Sequence, residues 1–309
     1  MDHQRGDFFK VYRKKIEDKA VSFKIFLINR FTRLYPLHYL TLAGVGILQL
    51  IFVSIYKFPF VYQHNDLKHL LLNILFVQNW FSDVYTFNGP SWSVSVEIFV
   101  YIAFFFLCFV GGMKNVLRLI AVILLSVIIN YYTHSYSMAT CFVFFFSGCF
   151  LATALHYSKR TIHLCAGLFG IYLVAHYIFS NHFSYTYPAK IFLQITRHIP
   201  GILILVLTYL FILYYVILIF SHKFFKKAYP GLTGLGNLTY SMYLIHFPLQ
   251  IIFFLVLKPT SYTFFNSPAI FLSFMAVTII LGYFVFTFFE RPSQISLRKI
   301  FLKHQALSA

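Results

Sequence analysis

Two glutamates, Glu97 and Glu290, adjoin long apolar runs and are the first candidates for chemistry in this sequence. The chain carries only eight Asp and Glu residues among its 309 residues. A charge inside a membrane-spanning helix costs at least ~2.5–3.5 kcal/mol at mid-bilayer, so an ionisable group there is a functional candidate by default. A carboxylate at such a position can orient or deprotonate a hydroxyl group.

Glu97 lies in the stretch NGPSWSVSVEIFVYIAFFF, residues 88–106, where a turn and small polar residues precede the carboxylate. Its position admits two interpretations. A glutamate in the first turn of a helix is stabilised by the helix dipole, by ~0.3–1 kcal/mol, and the neighbouring Ser91, Ser93 and Ser95 can cap free backbone N–H groups. Alternatively, Glu97 stands beside the outer opening of a cavity within a helix bundle and takes part in chemistry there.

Arg30 and Arg33 are one helical turn apart in NRFTRLYPLHYL, so both side chains can present to one face. They are either anchors that set membrane topology or a phosphate site, because the guanidinium offers a planar fork of donors that matches phosphate oxygens. Glu290, in TFFERPSQISLRK, is expected at the same depth and face of the membrane. A structural ion pair with the two arginines is the alternative to a functional role for Glu290.

Two of the 13 histidines are candidates for chemistry within apolar runs. His38 lies in the first run, and His246 lies in TYSMYLIHFPLQ beside tyrosine and serine hydroxyls. Each is either hydrogen-bonded inside the bundle or free to transfer protons, since imidazole exchanges protons near neutral pH. No HxxxH or HExxH pair suggests a metal site, so we assign no metal ligands and no bound cofactor.

The composition defines the class of protein that must position these residues. Sixty per cent of the chain is apolar and 11% is charged, whereas a soluble domain carries about a quarter charged residues. Most of its long apolar runs are close to the ~20 residues that a helix needs to cross a bilayer. We therefore predict an all-α polytopic membrane helix bundle with about eight transmembrane helices, over residues 35–56, 96–113, 116–132, 138–157, 161–180, 199–220, 238–257 and 268–289.

The net charge of +17 follows membrane topology and does not indicate nucleic-acid binding. With the N-terminus in the cytoplasm, residues 1–33 and the inner loops hold 20 of the 25 Lys and Arg residues, and the outer loops hold five. This division follows the positive-inside rule. We predict a basic cytoplasmic entry segment (1–33), one membrane domain (34–292) and a basic cytoplasmic tail (293–309), with Glu97 outside and the two arginines inside.

Two further features are expected to be structural. The segment 67–81 has only 15 residues with helical spacing of leucines, which favours an interfacial or re-entrant helix over a span. The four cysteines lie in or at the edge of apolar runs without CxxC spacing, so we interpret them as small buried hydrophobic residues: Cys108, Cys141, Cys149 and Cys165.

Five segments, taken in order, resemble the acyltransferase 3 family of integral-membrane acyltransferases. The first resembles the family's Arg-rich stretch ending in Tyr-Pro, the second its Trp-Ser-x-Ser-x-Glu signature, and the fourth its Tyr-Ser-x-Tyr-Leu-x-His block. Each segment is weak alone, but the five in register are specific. They are INRFTRLYPLHYL (28–40), GPSWSVSVEIFVY (89–101), FVFFFSGCFLATAL (142–155), GLGNLTYSMYLIHFPL (234–249) and FFERP (288–292).

The resemblance implies O-acyl transfer from a cytoplasmic acyl-coenzyme A, commonly acetyl-CoA, to a hydroxyl of a cell-surface or lipid-linked carbohydrate. The protein would then reside in the cell inner membrane. Arg30 and Arg33 would bind the donor phosphates, and the acceptor side would include Trp92, Ser93 and Ser95. We predict Glu97 and His246 as catalytic residues.

One departure from the family pattern leaves alternatives open. Family members usually begin with two further spans, the first carrying an Arg and a His taken to be central to catalysis, whereas residues 1–33 resemble the loop after the second span. Either the start lies upstream of Met1, or the protein lacks that pair and His38 or His246 compensates. The competing functions are a transporter or flippase without covalent chemistry, and an inactive acyltransferase fragment.

Overall fold

The computed structural model describes residues 8–80, 84–111, 116–133, 136–157, 159–181, 201–221, 223–258 and 267–303. Every regular element in these ranges is helical, which confirms the predicted all-α class. A 3-10 turn, Gly89–Ser91, precedes α4, and a π-helical turn, Phe286–Glu290, joins α10 to α11. The helices are α1 (Phe8–Glu17), α2 (Phe23–Tyr56), α3 (Leu67–Ile74), α4 (Trp92–Phe109), α5 (Val116–Thr133), α6 (Tyr136–Tyr157), α7 (Lys159–Asn181), α8 (Gly201–Ser221), α9 (Lys223–Leu257), α10 (Pro268–Val285) and α11 (Arg291–Lys303).

Five helical segments within the described ranges are long and apolar enough to cross a membrane: 23–56, 89–109, 138–155, 238–257 and 268–302. Three shorter apolar helices, at 116–129, 160–174 and 207–216, coincide with the other three predicted spans. Large apolar side chains on these helices face outward, and Leu50 and Val256 are 74% and 71% exposed. Such surfaces suit lipid and not water, so the chain is a multi-pass membrane protein.

Helix α2 begins earlier than the sequence predicted. Its N-cap is Ser22, whose Oγ accepts the Ile25 N–H at 3.3 Å, so the helix includes residues 23–34 ahead of the predicted span over 35–56. With 34 residues the helix is about 51 Å long at 1.5 Å per residue, longer than the ~30 Å hydrocarbon core. The predicted domain boundaries at 33/34 and 292/293 both fall inside continuous helices.

The chain forms two compact units, residues 1–20 with 103–228, and residues 21–102 with 229–309. Leu151, Ala166 and Tyr214 form a buried apolar cluster of the first unit. A core of the second unit brings α2, the loop before α4 and α9 together through Leu42, Val45, Phe52, Phe87, Phe247 and Ile251. Every site residue predicted from the sequence belongs to the second unit.

The cysteine prediction is confirmed for two residues and wrong for one. Cys108 and Cys149 are buried in the first unit, Cys141 is half-buried, and Cys165 is exposed. Cys165 lies on α7 near Leu164 and Leu168, which are 61% and 67% exposed, so this part of the helix is an outward-facing apolar surface. A cysteine in an apolar run can therefore face lipid instead of the protein interior, which is why the prediction is wrong for Cys165.

The described residues between α2 and α4 contain a short helix and no span, as predicted. Helix α3 has eight residues, and its N-cap is Asp66, whose Oδ1 accepts the His69 N–H at 2.9 Å. The backbone and side-chain hydrogen bonds from His69 lower the pKa of Asp66. After α3 the chain turns at Phe76, whose φ is positive at 59°. The Phe76 side chain is fully buried, and its ring centre lies 3.9 Å from that of His38.

A buried polar network holds this segment against α2 and α4. The Asn73 side chain is fully buried and donates to Thr86 Oγ1 and to the His69 carbonyl, both at 2.8 Å. The Asn73 carbonyl accepts from His38 Nε2 at 2.9 Å. The fully buried His38 is thus engaged in positioning this segment.

We expect Asn73→Ala to lower the free energy of unfolding by about 1–3 kcal/mol, because it leaves buried polar partners without their hydrogen bonds. Thermal unfolding of the purified protein in detergent measures the loss. Gln63→Ala, which truncates an exposed side chain on the same segment, is the matched control. Equal stability of both variants would contradict a structural role for the network.

Candidate active site

Ionisable residues that are distant in sequence come together in the second unit. Helix α2 contributes Arg30 and Arg33. The Tyr240 phenol on α9 lies within electrostatic range of Glu97, Glu290 and Arg33, and the Tyr101 phenol on α4 lies within range of both arginines and of Glu97. We name this set the charged cluster; it consists of Arg30, Arg33, Glu97, Tyr101, Tyr240 and Glu290.

Arg30 is the most sheltered cation of the cluster. It is only 7% exposed, and its guanidinium carbon lies 5.4 Å from the ring centre of Tyr101 and 6.0 Å from that of Phe26. The two rings meet edge to face at 6.4 Å. A desolvated cation–π contact contributes roughly 2 kcal/mol, so the rings hold the charge in a fixed place. Arg33, one turn further along, is exposed.

Glu97 is half-buried, and its Oε1 accepts a hydrogen bond from the Tyr101 hydroxyl. One tyrosine therefore connects Glu97 to Arg30, and the prediction that these groups mark opposite ends of the membrane is wrong. The reason is that Arg30 lies two turns inside α2, while Tyr101 reaches it from one turn beyond Glu97. The sequence reasoning missed Tyr101, although its i,i+4 spacing from Glu97 was a usable signal.

Glu290 is buried, with 4% exposure, and accepts a hydrogen bond from Ser241 Oγ. It ends the π-helical turn, a wider turn that is frequent at functional sites. Arg33 lies within electrostatic range of the carboxylate, and the ion pair suggested by the sequence stays a prediction. Beside it, the Tyr240 hydroxyl donates to the Leu34 carbonyl at 2.6 Å and ties α9 to α2.

A second feature of the same unit is a pocket of about 230 Å³ with aromatic walls. The Tyr85 ring lies 6.1 Å from both the Tyr62 and the Trp92 ring. Burial raises the pKa of the Tyr62 phenol, and the neighbouring phenols of Tyr85 and Tyr243 add to the rise, so Tyr62 stays neutral and able to donate. We name this feature the aromatic pocket; its lining is Tyr62, Tyr85, Pro90, Trp92, Tyr243 and His246.

The hydrogen bond of His246 determines its tautomer. Its Nδ1 lies 2.6 Å from the Tyr243 carbonyl oxygen. A carbonyl can only accept, so Nδ1 carries the hydrogen, and Nε2 of the neutral ring keeps a lone pair. His246 therefore presents a proton acceptor in the wall of the aromatic pocket.

The structure distributes the predicted acceptor-side residues over three places. Trp92 lines the aromatic pocket, and Ser93 Oγ donates to the hydroxyl of the lining residue Tyr243 at 3.0 Å. Ser95 is fully buried and holds the segment before α4, since its Oγ donates to the Phe76 carbonyl at 2.9 Å. Glu97 belongs to the charged cluster.

The charged cluster and the aromatic pocket share α4 and α9. On α4, Trp92 and Glu97 are five residues apart, about 7.5 Å along the axis. On α9, Tyr240 belongs to the cluster and Tyr243 to the pocket, one turn apart. The two features therefore share two helices of the second unit.

The fold and these two features define a multi-pass membrane protein with cations and an aromatic pocket built into one helical unit. The sequence model of the acyltransferase 3 family, an acyltransferase domain, matches residues 19–287. The chain belongs to this family, and the protein is a membrane acyltransferase. No curated protein and no solved structure matches the chain.

Proposed function

We propose that the protein transfers an acyl group, acetyl in the first instance, from acyl-CoA to a hydroxyl of a cell-surface or lipid-linked carbohydrate. One observation carries this proposal. The second unit holds both a charged cluster, whose arginines on α2 suit a phosphate-rich donor, and an aromatic pocket containing a proton acceptor, and both features use residues of α4 and α9. The proposed location is the cell inner membrane, with both termini in the cytoplasm.

The arginines are the proposed binding site for the donor. Coenzyme A carries several phosphate groups, and arginine offers paired donors that match phosphate oxygens. Arg33 is exposed and accessible to a ligand from the aqueous phase, whereas Arg30 is held by Phe26 and Tyr101. Arg33 would therefore make the first contact, and Arg30 would fix the position of the donor.

The aromatic pocket is the proposed acceptor site, and His246 is its general base. Nε2 takes the proton as the acceptor oxygen attacks the thioester carbonyl carbon. A C–O bond forms, the C–S bond breaks, and the coenzyme A thiolate leaves and takes up a proton. Acid–base catalysis of this kind contributes about 10²–10⁴-fold.

Glu97 is the proposed second catalytic group. Its Oε1 is occupied by Tyr101, which leaves Oε2 to accept a hydrogen bond from the acceptor and orient its hydroxyl towards the thioester. Tyr101 then acts as a positioning residue, because its hydroxyl fixes the carboxylate while its ring supports Arg30.

Tyr101→Phe separates these two roles. We expect kcat to fall roughly 10–100-fold, because the lost hydrogen bond to a charged group is worth about 1.5–3 kcal/mol. The KM for acyl-CoA should stay unchanged, because the phenyl ring still supports Arg30. Tyr101→Leu should also raise that KM, since it removes the ring. Steady-state kinetics that show a KM effect alone in Tyr101→Phe would contradict this assignment.

Release of free coenzyme A thiol tests the proposed function. The purified full chain in lipid nanodiscs is incubated with acetyl-CoA, with and without a sugar acceptor. We expect thiol release that depends on the acceptor. A transporter or flippase would release no thiol, and neither would an inactive fragment, so the absence of release in well-folded protein would overturn the proposal.

A further inference from the structure

We infer that Glu290 is a counter-charge to Arg33 that weakens phosphate binding at the donor site, so that free coenzyme A can leave after transfer. This inference rests on the proposed function for the identity of the donor. It goes further by assigning a role in product release to a buried carboxylate that the transfer step does not use.

Glu290 is the one buried acid in the part of the chain that the structure describes, with 4% exposure. Taking a carboxylate out of water is costly unless the group is hydrogen-bonded and lies near an opposite charge. Here Ser241 Oγ donates to Glu290 Oε2, and Arg33 lies within electrostatic range. Because a buried carboxylate rarely adds stability, a role in function explains its position better than packing does.

Hydrogen bonds from two consecutive residues of α9 hold the carboxylate in the neighbourhood of Arg33. The Tyr240 hydroxyl donates to the carbonyl of Leu34, the residue that follows Arg33, at 2.6 Å. The next residue of α9, Ser241, donates to Glu290. The π-helical turn that ends in Glu290 also contacts α2 directly. Helix α2, helix α9 and the π-helical turn therefore meet at this point.

The exposure of the two charges determines what each can do. Arg33 is exposed and can contact a phosphate, whereas Glu290 is buried and bonded to Ser241. Glu290 therefore acts on a bound donor through Arg33, by lowering the positive potential that a phosphate meets there.

A weakened donor site has a consequence for turnover. Acyl-CoA and free coenzyme A carry the same phosphate groups, so strong binding of the substrate also delays departure of the product. Product release limits the rate of many enzymes. A counter-charge beside Arg33 shortens the lifetime of the product complex.

Binding of coenzyme A to the full chain in lipid nanodiscs tests the inference without requiring catalysis. Glu290→Gln removes the charge, and the new amide oxygen can still accept the Ser241 hydrogen bond. We expect titration calorimetry to show roughly 2–10-fold tighter binding than in the wild type, the scale of contacts between partly exposed charges. The gain should shrink at high salt, since exposed charges are screened. A merely structural role would weaken binding instead.

The Arg33→Ala background shows whether the effect passes through Arg33. In that background Glu290→Gln should change coenzyme A binding much less, because the counter-charge has lost the cation on which it acts. Asp66→Asn is the matched control, since it removes an exposed acid of the same unit and asparagine caps a helix equally well. Its binding of coenzyme A should stay unchanged.

Glu290→Asp is the second variant, because it keeps a charge on a shorter side chain; its gain in binding should be smaller. Thermal unfolding shows that each variant is folded. No gain in either folded Glu290 variant would overturn the inference, and so would an undiminished gain in the Arg33→Ala background or an equal gain in Asp66→Asn. Tighter binding in Glu290→Gln without thiol release by the wild type would support the counter-charge and refute the proposed transfer. Thiol release with unchanged binding would do the reverse.

Discussion

Replacing His246 with asparagine is expected to lower kcat by about 10²–10⁴-fold, the range contributed by a positioned general base. The asparagine amide can still donate to the Tyr243 carbonyl in place of Nδ1, so the local backbone contact is retained. What is lost is the acceptor at Nε2. The KM for acyl-CoA should not change, since the donor is assigned to the charged cluster. Steady-state thiol release by the purified variant measures both constants.

The matched control is His64→Gln, which alters an exposed histidine that does not line the aromatic pocket. This control should keep wild-type activity. Wild-type kcat in His246→Asn would exclude His246 as the base. An equal loss in both variants would point to a general effect on the protein and would also contradict the assignment.

The second large effect is expected at Arg30. Truncating one partner of a buried charge contact typically costs about 2–5 kcal/mol, so Arg30→Ala should raise the KM for acyl-CoA roughly 30-fold or more. Arg33→Ala should raise it only a few-fold, because exposed ion pairs contribute about 0–1 kcal/mol. The Arg33 contribution should also shrink at high salt, since exposed charges are screened.

Lys24→Ala provides the comparison for both arginine variants, because it removes an exposed positive charge from the same helix. It should leave the KM unchanged, which separates a specific site from general attraction of an anionic donor. Kinetics at two salt concentrations complete the measurement. A larger effect at Arg33 than at Arg30 would contradict the assigned geometry.

The sequence predicted the class of fold because long apolar runs report directly on what surrounds a helix. It did not predict that α2 extends N-terminally of Arg30 and Arg33, because it treated these arginines as markers of the membrane edge. In the structure Phe26 and Tyr101 shelter Arg30 inside the unit. Sheltering of this kind depends on residues from another helix, which the local sequence does not reveal.

The candidate site could be predicted from the sequence only in part, because some of its residues stand out locally and others are brought in by helix packing. Glu97, Glu290 and His246 stood out because ionisable groups are rare in apolar helices. Their grouping with Tyr101 and Tyr240 depends on helix packing. Tyr62 and Tyr85 were not predicted, because they lie in a loop where no periodicity distinguishes a pocket wall from an exposed tyrosine.

The most direct test of the account is to follow the acyl group itself. Isotope-labelled acetyl-CoA, at a concentration well below its wild-type KM, and a sugar acceptor are supplied to the full chain in nanodiscs, and the sugar is analysed by mass spectrometry. The account predicts a labelled, base-labile ester on a sugar hydroxyl with the wild-type protein, and its near-complete loss in Arg30→Ala and His246→Asn. Absence of the ester with folded wild-type protein, or its undiminished formation by both variants, would contradict the account.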